Sequence, residues 1–320
     1  TLNGTNDATL YIGDITALTN PSYTDPEGAN PYADWEHPFY NLTINKPADK
    51  TLFFASKNPG DAGNTTAVKT VAGGKNINDW RSNLVKVAND FELLSGKVDL
   101  TSYSLRLYGN ITNYGTLAVD AVPTNAIVRT RKEAVASTRI VKTTDNAYFG
   151  NLRLNCDNTI LQFTSDVYIG RMEYKHGRMD ISKYNLKIDN LVVAFENEAQ
   201  FDFNGNSTFE ADEKQKFSVA DMIITDGNAS DGGLSLLVNS AKTYYFPLGI
   251  GTDATELLRN NSKFTPAEIT ISSCPSSGYI TVRPVDAVLQ TTNLTGGNVL
   301  DYYWRISCSG FTTNPVFSGM

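Results

Sequence analysis

The sequence predicts an all-β protein in which a parallel β-solenoid (β-helix-like) is followed by an incomplete antiparallel β-sandwich. Three observations lead to this fold class: a composition that favours strands, an internal repeat of short alternating runs, and longer alternating strands near the C-terminal end. Of the 320 residues, 41% are hydrophobic and only 19% are charged, with 16 Tyr and 15 Phe. Asn, Ser and Thr therefore supply much of the polar character, and these residues favour turns and strands over helices.

An internal repeat relates two segments that lie 81 residues apart in the sequence. Phe91–Leu107 (FELLSGKVDLTSYSLRL) aligns with Met172–Ile188 (MEYKHGRMDISKYNLKI), with five identical positions of 17 and six conservative exchanges. Upstream, Phe39–Ser56 resembles Tyr148–Ser165. We therefore interpret the chain as containing two diverged copies of one multi-stranded unit.

Short strands alternate within each unit. Val98 and Leu100 share one face, as do their counterparts Met179 and Ile181, which is the period of two expected of a strand. Gly and Asn between the runs suit sharp corners, because both tolerate the left-handed backbone region. Such strands at close spacing favour coils that stack into a parallel solenoid. Tandem antiparallel sandwiches are the alternative, although the Asn-Gly and Asp-Gly pairs typical of hairpins do not occupy every gap.

We expect the solenoid to cover residues 1–238, with its units at about 38–120 and 147–208. Helical periodicity is nearly absent, and the best helical candidate, Asn125–Lys142, reads equally well as a strand. From residue 239 onwards, longer strands joined by Ser, Thr, Gly and Asn turns predict an Ig-like sandwich over 239–320. This sandwich is incomplete, which predicts an open sheet edge and a chain that is part of a longer polypeptide.

Charge and hydropathy exclude two classes of partner. The net charge is −7 and the isoelectric point about 5.0, whereas a nucleic-acid binder needs a basic face to neutralise phosphates. No run approaches the roughly 20 apolar residues that span a bilayer, so we expect no membrane insertion. An acidic surface is compatible with simple solubility or with the collection of divalent cations.

Three cysteines are present. Cys156 is in phase with Leu152 and Leu154, which predicts a small buried side chain in the core. Cys274 and Cys308 lie in two predicted strands near the end of the chain, and they would form a disulfide if these strands face each other. A secreted location would permit this bond.

One loop offers a weak calcium pattern. Asp226 and Asn228 have the one-three spacing of a calcium-binding loop. The sixth position, which should be Gly, is Asp231, and Leu237 stands where a bidentate Glu is required. We therefore favour a turn over a cation site, and we expect no cofactor, with Ca²⁺ as the candidate if there is one.

His176 is one of two histidines and lies among five ionisable groups, an arrangement that could serve acid–base chemistry. Its counterpart in the first copy is Ser95, directly before the matching Gly. We therefore interpret His176 as a turn residue beside Gly177. Period two places Arg178 and Asp180 opposite the apolar residues of this segment, which predicts that both face solvent.

Three further charged groups are interpreted as solvated surface. His37 lies in a proline-containing loop near carboxylates that could bind Ca²⁺. Glu196–Glu213 carries six carboxylates, for which weak Ca²⁺ bridging is the functional alternative. A basic cluster, which could contact an anionic polysaccharide, consists of Arg129, Arg131, Lys132, Arg139 and Lys142.

Catalytic signatures are missing from the sequence. It contains no Asp-Asp pair, nucleophile elbow, zinc-protease helix, phosphate-binding loop or dinucleotide fingerprint. Solenoids also carry enzymes that degrade polysaccharides, which need two carboxylates across the scissile bond. We predict that the chain is not an enzyme.

Several phrases of the sequence resemble the repetitive, adhesin-like cell-surface proteins of Bacteroidota. They are FYNLTINKP, SGKVDLTSYSLRLYGNITNYGTL, IITDGNASDGGL, YYFPLGIGTD, FTPAEITI and LDYYWRIS, and the resemblance covers about residues 38 to 310. The family includes proteins of gliding motility that the type IX secretion system exports. The resemblance implies extracellular display on a bacterial cell, solenoid and sandwich modules, carbohydrate or surface contact in some members, and no catalytic motif.

The expected function is a non-enzymatic structural and adhesion module of a larger secreted bacterial protein. Ligand contacts are expected from exposed aromatic side chains and from insertions at about 57–82 and 121–146. Partners would be surface glycans, or proteins of the secretion system or outer membrane. The alternatives are a carbohydrate-active lyase or hydrolase on the same scaffold, and a secretion cargo or filament component.

Overall fold

A computed structural model of the protein describes residues 2–12, 37–56, 70–71, 75–76, 84–87, 89–100, 104–117, 128–130, 137–144, 147–193, 214, 217–251, 262–288 and 301–319. All secondary-structure elements assigned over these ranges are β-strands, in a large and mainly parallel sheet, a small antiparallel sheet and one isolated pair. The expected all-β class is therefore confirmed for the described residues. The chain divides into two compact units, Thr1–Arg131 with Asn146–Leu152, and Lys132–Asp145 with Arg153–Met320.

The first unit is built from short strands. They are β1 (Leu2–Asn3), β2 (Ala8–Ile12), β3 (His37–Phe39), β4 (Leu42–Asn45), β5 (Thr51–Ser56), β6 (Thr70–Val71), β7 (Lys75–Asn76), β8 (Leu84–Val87), β9 (Phe91–Ser95), β10 (Lys97–Asp99), β11 (Ser104–Leu107), β12 (Ile111–Asn113), β13 (Thr116–Leu117) and β14 (Val128–Thr130). Apart from the antiparallel pair β6–β7, these strands form parallel ladders. The ladders are β1–β4–β9–β12, β2–β5–β10–β13 and β3–β8–β11–β14.

The chain visits these ladders in rotation. The strands β3, β4 and β5 each belong to a different ladder, and β8, β9 and β10 follow them in the same order, as do β11, β12 and β13. Register partners are close to 20 residues apart where no long loop intervenes; for example, Phe91 pairs with Ile111. Each pass of the chain therefore adds one strand to every ladder.

The core of the first unit lies where equivalent apolar side chains of successive strands meet. Leu42, Phe91 and Ile111 follow one another in a single ladder, and all three are buried. Full burial of each such side chain stabilises the fold by about 1.5 to 3 kcal/mol. Asn113 is also fully buried, and it caps a corner because its Oδ1 accepts the Gly115 N–H at 3.1 Å.

The second unit combines long and short strands. They are β15 (Ser137–Thr143), β16 (Tyr148–Phe163), β17 (Val167–Ser182), β18 (Leu186–Val193), β19 (Ile223–Thr225), β20 (Leu234–Val238), β21 (Thr243–Phe246), β22 (Leu248–Ile250), β23 (Lys263–Phe264), β24 (Ala267–Ser273), β25 (Gly278–Val285), β26 (Tyr303–Ser309) and β27 (Val316–Gly319). The first residues of β16 belong to the first unit, where they extend the ladder of β13. The described parts of Asn125–Lys142 are strands, so the helical reading of this segment is wrong for those parts.

Pairing in the second unit changes from parallel to antiparallel along the chain. The parallel series are β15–β16, β17–β18–β20 and β17–β19–β22. The antiparallel series are β20–β25–β26, β22–β23 and β21–β24–β27. Strand β20 thus pairs in parallel with β18 and antiparallel with β25. It lies next to the domain boundary expected at residue 238, and that boundary stays a prediction.

The sequence repeat is also a repeat of backbone geometry. Gly96 separates β9 from β10 with φ 90°, and its counterpart Gly177 lies within β17 with φ 112°. Both values lie in the region that favours glycine. The apolar positions that alternate after each glycine are buried in both copies: Val98, Leu100, Leu105 and Leu107 in the first, and Met179, Ile181, Leu186 and Ile188 in the second. The alternation predicted for the repeat is therefore confirmed.

Candidate functional site

The outer face of β17, β18, β20, β25 and β26 carries a continuous row of polar side chains. In register order across the strands, this outer row consists of Tyr168, Lys187, Ser235, Thr281 and Ser307. The chain neighbours of the first four are buried, so period two places the row on the opposite side of the sheet. Because neighbouring strands lie about 4.8 Å apart, the row extends over about 19 Å. Only an extended ligand could contact its whole length.

Two tyrosines and a lysine form a closed cluster along one side of the outer row. The hydroxyls of Tyr168 and Tyr279 donate to the two carboxylate oxygens of Asp189, at 2.8 and 2.6 Å. The Lys187 Nζ lies 4.5 Å from the centroid of the Tyr168 ring and 4.0 Å from that of Tyr279. Burial raises the pKa of both phenols, so both stay protonated and donate. Both rings already contact the Lys187 ammonium group. A ligand here would therefore contact hydroxyls and charged groups rather than aromatic faces.

The opposite side of the outer row carries positive charge at β25 and β26. Arg283 lies on β25 two residues from Thr281, and Arg305 lies directly opposite Arg283 on β26. Arg283 and Arg305 give this side of the row two cations, and the charge of Asp231 acts on Arg283. The chain as a whole has a net charge of −7. This face therefore differs in sign from the molecule and attracts anions.

The three calcium candidates serve a turn and a strand corner. Asp231 is buried, and its Oδ2 accepts the backbone N–H of Asn228 at 2.6 Å. Asp226 accepts the hydroxyl of Ser182 at 2.8 Å. Within the described ranges, no three His, Cys, Asp or Glu side chains lie close enough together to hold a metal ion. The geometry thus fits the turn interpretation of this loop.

His176 lies at a strand corner. Its Nδ1 is 3.8 Å from Oδ1 of Asp221, and the same oxygen accepts the Gly177 N–H at 2.8 Å. The carboxylate of Asp221 therefore holds the corner that Gly177 makes, with the imidazole beside it. His176 and Gly177 lie within strand β17, so His176 is a strand residue beside a positive-φ glycine rather than a turn residue.

A buried ion cluster in the same strand was missed by sequence reasoning. Glu173 is fully buried, and its carboxylate lies 2.6 Å from Nε of Arg153 and 3.2 Å from Nε of Arg171. Both arginines are at most 5% exposed. The alternating sequence pattern around Arg153 predicts that its side chain faces solvent. In the structure, this part of β16 is buried on both faces. Separating Glu173 from its arginines would leave a buried charge unpaired. The cluster therefore holds β16 and β17 together.

Asp180 does not face solvent, so that prediction is wrong. Its side chain is buried, its Oδ1 accepts the Ser182 N–H at 2.8 Å, and its Oδ2 accepts Nε2 of Gln162 at 3.2 Å. This face of β17 was expected to point outward. However, Ile224, the register partner of Asp180 on β19, is also buried and belongs to an apolar cluster with Ile160 and Met222. Burial raises the pKa of Asp180 to about 6; the Ser182 hydrogen bond lowers it, and the charge of Asp226 raises it.

We expect Asp180 to make the fold less stable as the pH rises from about 4 to about 6. In that interval the folded carboxyl keeps its proton, whereas the unfolded one loses it near 3.8. Asp180→Asn should flatten this part of the profile and raise the free energy of unfolding at pH 8 by about 1 to 3 kcal/mol. Denaturant unfolding at several pH values measures both effects. The exposed Asp301→Asn should keep the wild-type profile, and identical profiles for wild type and Asp180→Asn would refute the assignment.

The predicted disulfide is not present, because Cys274 and Cys308 are free thiols. Cys308 lies opposite Ile280 in the β25–β26 pair. Cys274 follows β24, and its Sγ contacts the carbonyl oxygen of Ser276 at 3.2 Å. Cys274 therefore lies outside the strands, and β24 before it does not pair with the strand of Cys308, which corrects the expectation from sequence.

Several candidates lie outside the described side chains. They are Cys156, His37, Arg129, Arg131, Lys132, residues 196–213 and most of the two insertions at 57–82 and 121–146. Of the basic cluster, Arg139 is buried and Lys142 is exposed, so these two do not share one surface.

No protein-family model matches this chain. Comparisons with curated proteins and with solved structures likewise gave no significant match. Within the described residues, no helix has the length and apolar character needed to cross a bilayer. The function must therefore be inferred from the fold and from the chemistry of the chain's own residues.

Proposed function

We propose that this chain is a non-enzymatic structural and adhesion module of a larger secreted bacterial protein. Its stiff part would be a parallel β-solenoid, followed by an antiparallel β-sandwich. The observation that carries the proposal is the rotation of the chain through three parallel ladders, with register partners close to 20 residues apart. A stack of this kind gains stability with each added coil, which suits a spacer. The antiparallel series around β24 and β25 support the sandwich.

The use of the carboxylates favours a scaffold over an enzyme. Glu173 lies between two arginines, Asp189 accepts two tyrosine hydroxyls, and Asp231 caps a turn. Cleavage of a glycosidic bond needs a pair of carboxyl groups free to face the sugar, one of them with a raised pKa. Asp180 has the raised pKa, but its oxygens accept hydrogen bonds from Ser182 and Gln162.

The adhesive part of the proposal is supported by the outer row and by the resemblance to repetitive surface proteins of Bacteroidota. That resemblance favours display outside the cell, with surface glycans, or proteins of the secretion system or outer membrane, as partners. The row carries polar side chains over about 19 Å, in which Ser235 is buried and hydrogen-bonded to Thr281 at 2.7 Å; this length, with the two arginines beside it, fits a glycan better than a small metabolite.

A degradation screen separates the module from the rival carbohydrate-active enzyme. The purified chain would be incubated with neutral, uronate and sulfated polysaccharides, with Ca²⁺ and with a chelator, and new reducing or unsaturated ends would be counted. We expect no turnover above that of a heat-unfolded sample. Turnover that disappears in Asp180→Asn would overturn the proposal and name the acid, whereas turnover that persists would overturn it and place the chemistry elsewhere.

A further inference from the structure

Two arginines face each other on the outer face of the second unit. Arg283 and Arg305 are direct register partners in the β25–β26 pair, and both lie on the same side of the sheet as Thr281 and Ser307. Directly opposed side chains in an antiparallel pair start about 5 Å apart, and like charges in these positions repel. Desolvation and then the charge of Arg305 lower the pKa of Arg283, and the attraction of Asp231 offsets them only in part.

The arrangement holds both guanidinium groups at the surface. Arg283 is half-buried and Arg305 is exposed. The Nη1 of Arg305 donates to the carbonyl oxygen of Ala229 at 2.5 Å, which fixes the side chain while using one of its five N–H donors. A guanidinium fork matches the two oxygens of a carboxylate or the face of a sulfate group. An anion between the two forks would remove their repulsion and use the remaining donors.

We propose that Arg283 and Arg305 form a binding site for an oxyanion group, the carboxylate or sulfate of an acidic polysaccharide that lies along the outer row. This inference rests on the proposed adhesive function and names the class of glycan. Ser307 is exposed and lies two residues from Arg305, and Thr281, whose hydroxyl is hydrogen-bonded to that of Ser235, lies two residues from Arg283; both are on the side of the sheet where the sugar ring would lie. Lys187 lies further along the row, but its ammonium group is held against the rings of Tyr168 and Tyr279, so the two arginines carry the site.

Titration with defined polymers tests this site on the whole chain. The probes are polygalacturonate for carboxylates, dextran sulfate for sulfates, and uncharged dextran as the neutral control. The variants are Arg283→Gln and Arg305→Gln, with Lys183→Gln as the control, because it removes the same charge from an exposed corner between β17 and β18. We expect each arginine variant to weaken binding of the charged polymer about tenfold or more, and Lys183→Gln to weaken it less than about twofold.

Thermal unfolding separates loss of the site from loss of the fold. Each arginine variant should keep or slightly raise the melting temperature, since it removes a like-charge pair. The charged polymer should raise the melting temperature of the wild type and of Lys183→Gln, but not of the arginine variants.

Each outcome of these titrations tests the oxyanion site and not the proposed function. Preference for one charged polymer identifies carboxylate or sulfate as the group bound. Equal losses in all three variants, or no binding of either charged polymer, would overturn the site without touching the degradation result that tests the proposed function. Tighter binding of a polyuridylate RNA than of both polysaccharides would overturn the assignment of the ligand.

Discussion

Replacing Glu173 with alanine is expected to lower the free energy of unfolding by about 3 to 5 kcal/mol. The carboxylate lies 2.6 Å from Arg153 Nε and 3.2 Å from Arg171 Nε, and both arginines are buried. Its removal leaves two buried guanidinium groups without their shared counter-charge. Chemical denaturation at neutral pH measures the loss, as a lower midpoint with an unchanged slope.

The internal repeat supplies the matched control. Glu92 is the counterpart of Glu173 in the first copy; it is half-exposed and accepts the hydroxyl of Thr43 at 3.0 Å. Glu92→Ala should therefore cost about 1 kcal/mol or less. Replacing the whole cluster with Met, Leu and Met at Arg153, Glu173 and Arg171 should recover most of the loss, because no buried charge is left. If Glu173→Ala were as mild as Glu92→Ala, the cluster would contribute nothing to the fold.

Replacing Gly96 with alanine is expected to lower the free energy of unfolding by about 2 to 4 kcal/mol. The backbone there has φ +90°, and an added Cβ would lie 2.6 Å from Cβ of Lys46 and 3.1 Å from the carbonyl oxygen of Pro47. The substitution combines an unfavourable backbone conformation with a contact that forces neighbouring strands apart. The measurement is again chemical denaturation, with circular dichroism in the far ultraviolet as the probe.

Gly310→Ala isolates the backbone part of that effect. Gly310 has φ +77°, but the nearest atom to its added Cβ is 3.8 Å away, an ordinary contact. We expect a loss of about 1 kcal/mol, the usual cost of the left-handed region for alanine. Equal losses at Gly96 and Gly310 would mean that the close approach to Lys46 has no energetic consequence.

Local patterns were enough to predict the strands of the repeat. Gly96 and Gly177 mark corners in the sequence, and the alternating apolar residues that follow each of them are buried. These features depend only on neighbours a few residues away, so one sequence reveals them. The change to antiparallel pairing near β20 was likewise expected from the longer strands of the C-terminal part.

The candidate site depends on long-range register, which no local pattern contains. Tyr279 meets Asp189 from 90 residues away, and Arg283 meets Arg305 on the neighbouring strand β26. The fate of Asp180 was mispredicted for a related reason. Period two assigns a side chain to a face correctly, but whether that face is covered depends on other strands, here the one carrying Ile224.

The parallel ladders also tolerate very different lengths of chain between partners. Val167 pairs with Leu186 only 19 residues later, whereas Met179 pairs with Ile223 after 44, and the stacking continues through both. Loop closure becomes only slightly less favourable as a connection lengthens, by about 0.6 kcal/mol for each doubling. Lineages could therefore exchange the segments that connect the strands while inheriting the stack unchanged. The connection between β18 and β19 is a natural place to graft a foreign epitope.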